Sequence, residues 1–478
     1  MKIYNYPSKS AEKKIASITN RGLGFKKKDV LSVTRILEDV RKNQDKALIK
    51  YTNCFDSPEL TIESIKATHE EIDSAAKKVD RSFMNALNRA VRQIESFHKQ
   101  QLMTSWINTK RPGTFLGQIV NPVDSAGVYV PGGMGGKTPL VSSVLMGVIP
   151  ARVAGVKHIA MVTPPNRNGE VNPHLLTAAK KVGVDAVYKV GSAWAIAALA
   201  YGTETIPKVD IIVGPGNIYV TIAKKIVAGT VGIDMIAGPS EIMVIADSTA
   251  NPAFVAADLL SQAEHDMLSS AILVTNSKDT AKAVALAVDD QLSVLKRKEI
   301  AEKSIARFGA IIVVPDIDAA IELSNRIAPE HLELQIKDPF MYIGQIRNAG
   351  AVFLGDYTPE PVGDYIAGPN HVLPTASTAR FSSALSVDNF VKKTSLIQYS
   401  KTAFKHEAGD IICLAEIEGL DAHVNAVKIR LTHSQIDRSD NLINGIFFIQ
   451  YCFSRSKYDV YIKNKNRLFS NSNSSIMV

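Results

Sequence analysis

Through the first hundred residues apolar positions return every three or four places. VLSVTRILEDVRK from Val30 and FMNALNRAVRQIESFHKQ from Phe83 carry the stripe of helices that bury one face. Near Ser125 the period changes. AGVYVPGG is a short apolar run ending in glycines, and Pro139 is expected to open a long helix over PLVSSVLMGVIPARVAGV, since a first-turn proline lacks only an amide proton that has no partner there. HIAMVTPP, a helix from His174, DAVYKVG, a helix from Ala193, VDIIVGPGN and a helix from Ile218 follow. Continuous apolar strands alternating with helices predict βαβ units and a parallel sheet covered on both faces. A second series does the same. EIMVIAD, SAILVTNS, AIIVVPD and AVFLGD are its strands, with helices after Asn251, Ser277 and Asp316. The expected class is α/β, with one unit at 129–240 and a larger one built around 241–385. The N-terminal helices are assigned to the larger unit. No internal sequence repeat is visible.

At 478 residues the chain exceeds what one core supports. Its 46% hydrophobic and 21% charged residues fit a soluble globular protein, and no apolar run reaches the roughly 18 residues of a membrane span. MKIYNYPSKSAEKK has early lysines with no apolar core behind them, so a secretory signal is not expected. Cys54, Cys413 and Cys452 are far apart and odd in number, which favours a reducing cytoplasm over a disulfide framework. The net charge of +8 raises nucleic acid as a partner. The lysines are scattered, however, and residues 432–478 supply +3 of the total, from six Lys and Arg against three Asp. No basic stripe interleaves with aromatics, so neither nucleic acid nor membrane is expected as a partner.

No GxGxxG follows a strand. GGMGGKT at 132–138 approaches a phosphate-binding loop, but the position five before Gly136 is Pro131, not glycine. Glycines between a strand end and a helix start still point amide hydrogens outward, and GPGN at 214–217 repeats the arrangement; tight turns would look the same. Two such loops on one parallel sheet favour a crevice at its strand C-termini.

In SQAEHD, Gln262 and His265 sit three apart at a helix end, where both could reach one metal ion. A hydrogen-bonded core glutamine beside an exposed histidine is the plainer alternative. IAPEHLEL sets Glu330 beside His331; side chains adjacent on extended backbone diverge, so the pair suits two proton transfers, or a surface acid–base pair. Asp364 and His371 lie in GDYIAGPNHVLPT, and Glu418 and His423 flank a glycine turn in EGLDAHVNAV. Taken together, these groups at element ends suit a divalent metal and a polar substrate.

AGVYVPGG, GPGNIYVTIAKK, DMIAGPSEIMVIAD, DLLSQAEHD, IAPEHLEL, GDYIAGPNHVLPT and EGLDAHVNAV, in this order, resemble the histidinol dehydrogenase family from about residue 10 to residue 431. The resemblance implies two incomplete Rossmann-like parallel-sheet domains in a domain-swapped homodimer. The implied layout is an N-terminal arm at 1–25, residues 26–128 with 241–385 as the larger domain, 129–240 contacting NAD, and 386–431 as the exchanged element. It implies one zinc ion per subunit on Gln262, His265, Asp364 and the partner's His423, with Glu330 and His331 as the catalytic pair. Ser240, His331, His371 and Glu418, with the metal ligands, match substrate-contacting positions; Tyr129 and Asn217 match NAD-contacting ones. The implied reaction takes L-histidinol through its aldehyde to L-histidine with two NAD. Two features depart from the family. The chain reads GSAWA where GGAQA is usual, putting Trp194 at the NAD-contacting glutamine, and residues 432–478 extend beyond the strand-like VKIRL as an expected mobile tail. The rival readings are a same-scaffold dehydrogenase for another amino or diol alcohol, and a non-catalytic metal- or nucleotide-binding protein. The latter has no need of an acid–base pair.

Overall fold

A computed structural model describes residues 1–21, 24–132, 138–432 and 460–463. The chain forms two compact units, residues 1–101 with 123–390, and residues 102–122 with 391–478.

The first unit contains two wholly parallel sheets. The smaller runs Ala186–Tyr188, His158–Val162, Ser125–Tyr129, Ile211–Val213, Gly232–Ile233. The larger runs Ile3–Asn5, Ala310–Val313, Ser270–Thr275, Glu241–Ala246, His331–Gln335, Ala351–Leu354. With Ile3–Asn5 set aside, both follow one strand order: third, second, first, fourth, fifth. The topology therefore repeats although the sequence does not. Every residue of Glu241–Ala246 and Ser270–Thr275 is buried, which is why these strands read as unbroken apolar runs. Ile3–Asn5 escapes the helical reading of the N-terminus; it pairs Ile3 with Ile311 and occupies the sheet edge, where three residues suffice.

The sequence assigns Lys27–Phe55 to the larger unit, but its stripe of Val33, Leu37, Val40 and Leu48 joins the core of the smaller sheet with Trp194, Leu199 and Ile222. An apolar stripe gives a helix its buried face and not its neighbour. The helix after Pro139 begins at Val141 and closes at Gly155 with φ 92°, the left-handed conformation in which glycine carries no Cβ penalty.

In the second unit Thr114–Pro122 pairs antiparallel with both Val391–Tyr399 and Ser105–Asn108, and Val460–Lys463 lies parallel to Ser105–Asn108. Helices Lys401–Ile417 and Asp421–Thr432 pack together. VKIRL is thus helical: Val424 and Val427 are buried three residues apart, the helical spacing, whatever β-branched residues suggest locally. Apart from Thr432 and Val460–Lys463, the tail from 432, with its cluster GIFFIQYCF, lies outside the described residues. Among those described, no helix is long and apolar enough to cross a membrane.

Candidate active site

Strands Glu241–Ala246 and His331–Gln335 begin side by side, with His331 opposite Ile242, so Glu330 faces Glu241 at the N-terminal edge of the larger sheet. Glu330 Oε2 accepts the Glu241 backbone N–H at 2.8 Å, and His331 Nδ1 lies 2.9 Å from the Glu241 carbonyl. A carbonyl only accepts, so Nδ1 carries the proton and Nε2 keeps its lone pair. Among the described residues that Nε2 is buried without a partner. Burial holds the His331 pKa below its usual value, favouring this neutral form. Glu330 is pushed the other way. Burial first, then the charges of Glu241, Glu360 and Asp364, raise it well above the carboxylate range. Its Oε2 stands 3.8 Å from His331 Nδ1, beyond hydrogen-bond reach. Arg21 closes the base of this corner: it pairs with Glu241 at 2.9 Å and reaches the Ser240 carbonyl at 3.4 Å.

Strand Ala351–Leu354 leads into the short turns Glu360–Val362 and Gly363–Ala367, which bring Asp364 to the same corner. Asp364 lies 3.7 Å from His371 Nδ1. Burial alone would raise its pKa, but His371, His331 and His265 hold it below the usual value. Oxygen and nitrogen atoms of His331, Glu360 and Asp364 all fall within 4.8 Å of one another. His331, Phe353, Asp364 and His371 line a cavity of about 190 Å³. Among the described residues, Gln262, 1% exposed near the end of helix Pro252–Ala263, leaves Oε1 unpartnered, and His371 leaves Nε2 so. His265 follows the helix end, exposed, and its charge acts on both Glu360 and Asp364.

A buried polar atom left unsatisfied costs about 1–3 kcal/mol. His331 Nε2 and His371 Nε2 bear that cost on residues lining one cavity, and Gln262 Oε1 bears it next to Ser261, which bonds Glu360; a bound group would remove it. Imidazole, amide and carboxylate donors fit a divalent cation. Glu360 went unnoticed in the sequence. Between Pro359 and Pro361 it reads as an exposed turn residue, and only the fold shows it 2% exposed, with a pKa pushed up to about 7 by burial and by Asp364. Glu418 and His423 belong to the second unit; both are exposed, and their side chains have no partner among the described residues.

A family model for histidinol dehydrogenase matches residues 24–431. The chain belongs to the histidinol dehydrogenase family. Histidinol dehydrogenases of Desulfotalea psychrophila and Clostridium acetobutylicum are each 54% identical to it, over 400 and 401 residues, 84% of this chain and 92% of theirs. The crystal structure of histidinol dehydrogenase from Elizabethkingia anophelis superposes with a TM-score of 0.85 at 40% identity, covering 90% of this chain and 98% of that one. Membership in the histidinol dehydrogenase family makes the chain an oxidoreductase.

The smaller sheet holds the residues that resemble the family's NAD-contacting set. Tyr129 ends Ser125–Tyr129, and its hydroxyl oxygen accepts the Ser192 backbone N–H at 3.2 Å; burial raises its pKa, so it stays a phenol. Gly214, at φ +113°, passes so close to the Tyr129 carbonyl that a Cβ would collide with it. Asn217 caps helix Ile218–Val227 through the amides of Tyr219 and Val220. Trp194 is 4% exposed; its indole N–H donates to Thr52 Oγ1 at 3.1 Å, and its ring stacks with Tyr51 and Phe55. Most of that indole is therefore committed to the domain interior. GGMGGKT lies largely outside the described residues.

Proposed function

We propose that the chain oxidises L-histidinol through L-histidinal to L-histidine, the last step of histidine biosynthesis, reducing two NAD per turnover. Family membership supports the reaction, and the buried, neutral, unpartnered Nε2 of His331 is the observation that carries it. His331 Nε2 takes the alcohol proton while Nδ1–H stays on the Glu241 carbonyl, which fixes the ring. Glu330 then activates water for attack on the aldehyde. It must first give up the proton that burial favours, which positive charge nearby would assist. Positioned bases of this kind contribute about 10²–10⁴-fold each.

Gln262, His265 and Asp364 would hold zinc, with His423 of a second copy completing the set. Bound zinc would supply a Lewis-acid template for the amino and imidazole groups of the substrate. Ser240, His371 and Glu418 would position that substrate, and Tyr129, Trp194 and Asn217 would contact NAD, the hydride acceptor. The working form is then a homodimer in which residues 386–431 are exchanged, so that Glu418 and His423 act on the partner's site. Their lack of side-chain partners among the described residues supports this. A cytoplasmic setting agrees with Cys54 and Cys413 being unpaired. Added L-histidinol should drive NAD reduction that a chelator abolishes and zinc restores. Reduction with other amino alcohols and none with L-histidinol would overturn the substrate assignment.

A further inference from the structure

A second polar layer lies directly behind the atoms described above. Asp258, Glu333 and Gln335 are 7%, 1% and 1% exposed. Gln335 Nε2 donates to Asp258 Oδ2 at 2.6 Å and to Glu333 Oε2 at 3.1 Å. The Gln335 amide thus bridges the two buried carboxyls. The other oxygen of Glu333 accepts the backbone N–H of Glu360 at 2.9 Å, and the Glu360 carboxylate accepts the Ser261 hydroxyl at 3.0 Å.

The connections match the front layer. Asp258 lies one helical turn before Gln262, on the same face. Glu333 lies two residues beyond His331, on the same side of the strand. Glu360 opens the turn that leads directly into the one carrying Asp364. Three separate segments thus contribute both to the site and to the layer behind it. Stability alone accounts poorly for such a layer, since well-packed apolar residues in place of buried charged groups are often neutral or stabilising. Holding three segments in register accounts for it directly.

We propose that Asp258 and Glu333, bridged by the Gln335 amide, are positioning residues that fix Gln262, His331 and Asp364 relative to one another for metal and substrate binding. This rests on the proposed zinc site. Glu333→Gln keeps the acceptor for the Glu360 N–H and turns an amide N–H toward the Asp258 carboxylate. Glu333→Leu keeps most of the volume and removes both.

Zinc affinity, measured by chelator competition on the full chain, should stay within about threefold of wild type in Glu333→Gln. In Glu333→Leu it should fall about 10–100-fold, the usual range for a lost partner of a metal ligand. kcat should fall with it, while the KM for NAD and the melting temperature hold. Should Glu333→Leu fail to fold, Asp258→Ala is expected to lose several-fold in zinc affinity and Asp258→Asn to recover it. A folded Glu333→Leu with zinc affinity within threefold of wild type overturns the proposal. So does Glu333→Gln falling as far as Glu333→Leu, or Asp258→Ala matching wild type. A wild-type protein that binds no zinc and reduces no NAD with L-histidinol overturns the functional reading as well; indifferent variants of an active, zinc-binding enzyme overturn only the positioning.

Discussion

The two parallel sheets share one strand order and present their candidate residues at opposite edges. In the smaller sheet the order reverses between Ser125–Tyr129 and Ile211–Val213, and Tyr129, Gly214 and Asn217 gather at the C-terminal edge, where such a switch opens a crevice. In the larger sheet the same reversal falls between Glu241–Ala246 and His331–Gln335, yet Ser240, Glu330 and His331 stand at the strand beginnings. The state of the polar atoms differs as well. Asn217 is spent on a helix cap, the Trp194 N–H on Thr52 and the Tyr129 oxygen on a backbone amide. Gln262, His331 and His371 each keep a buried atom free among the described residues. Topology sets where a crevice opens; reactivity follows the atoms that the fold leaves unsatisfied.

The largest expected effect breaks this contrast or establishes it. His331→Ala should lower kcat about 10²–10⁴-fold, the loss of a positioned base, with NAD affinity in a binding titration unchanged. An equal loss of NAD affinity would mean that the two edges do not divide the work. Glu330→Gln, in the same series, should slow aldehyde oxidation more than alcohol oxidation in single turnovers; equal slowing would make the pair one functional unit.

Gly214→Ala attacks the other edge. Its Cβ meets the Tyr129 carbonyl at a φ that L-residues rarely adopt. NAD affinity should fall about tenfold or more, roughly 1.4 kcal/mol, while bound zinc stays at the wild-type level. Lost zinc in a folded variant would contradict the separation.

Asp56 acts on stability rather than on activity, and it qualifies the contrast. It follows helix Lys27–Phe55 close to Gly191 of the smaller sheet's edge, and burial pushes its pKa from 3.8 up to about 7 with Oδ2 unpartnered. Because the folded pKa is raised, the fold favours the protonated form, and stability is lost as pH rises from about 4 to about 7. Asp56→Asn should therefore raise the melting temperature more at pH 8 than at pH 5, the gain bounded by roughly 4 kcal/mol for a shift of this size. The same gain at both pH values would show that the charge is not its cause.

The alternating strands and helices of both sheets were legible because a parallel sheet buried on both faces leaves unbroken apolar runs. The repeat of strand order was not, since pairing order leaves no local mark. Helix Lys27–Phe55 showed its stripe and hid its partner. VKIRL read as a strand because Val and Ile are β-branched, although Val424 and Val427 already had helical spacing. Among the site residues, Gln262, Glu330, His331 and Asp364 announced themselves by unusual polar groups at element ends and by the resemblance. Glu333 did not, because alternation with Leu332 and Leu334 makes it look like the exposed face of a strand. Glu360 was masked by its prolines. Burial alone separates these two from ordinary surface carboxylates.

The account stands on the unsatisfied edge of the larger sheet being the place where metal and substrate meet. Crystals of the zinc-loaded protein, measured at the zinc absorption edge, test that directly. One anomalous peak per chain, within coordination distance of Gln262 and Asp364, is the result predicted. A peak elsewhere, or none in a protein that oxidises L-histidinol, would contradict it.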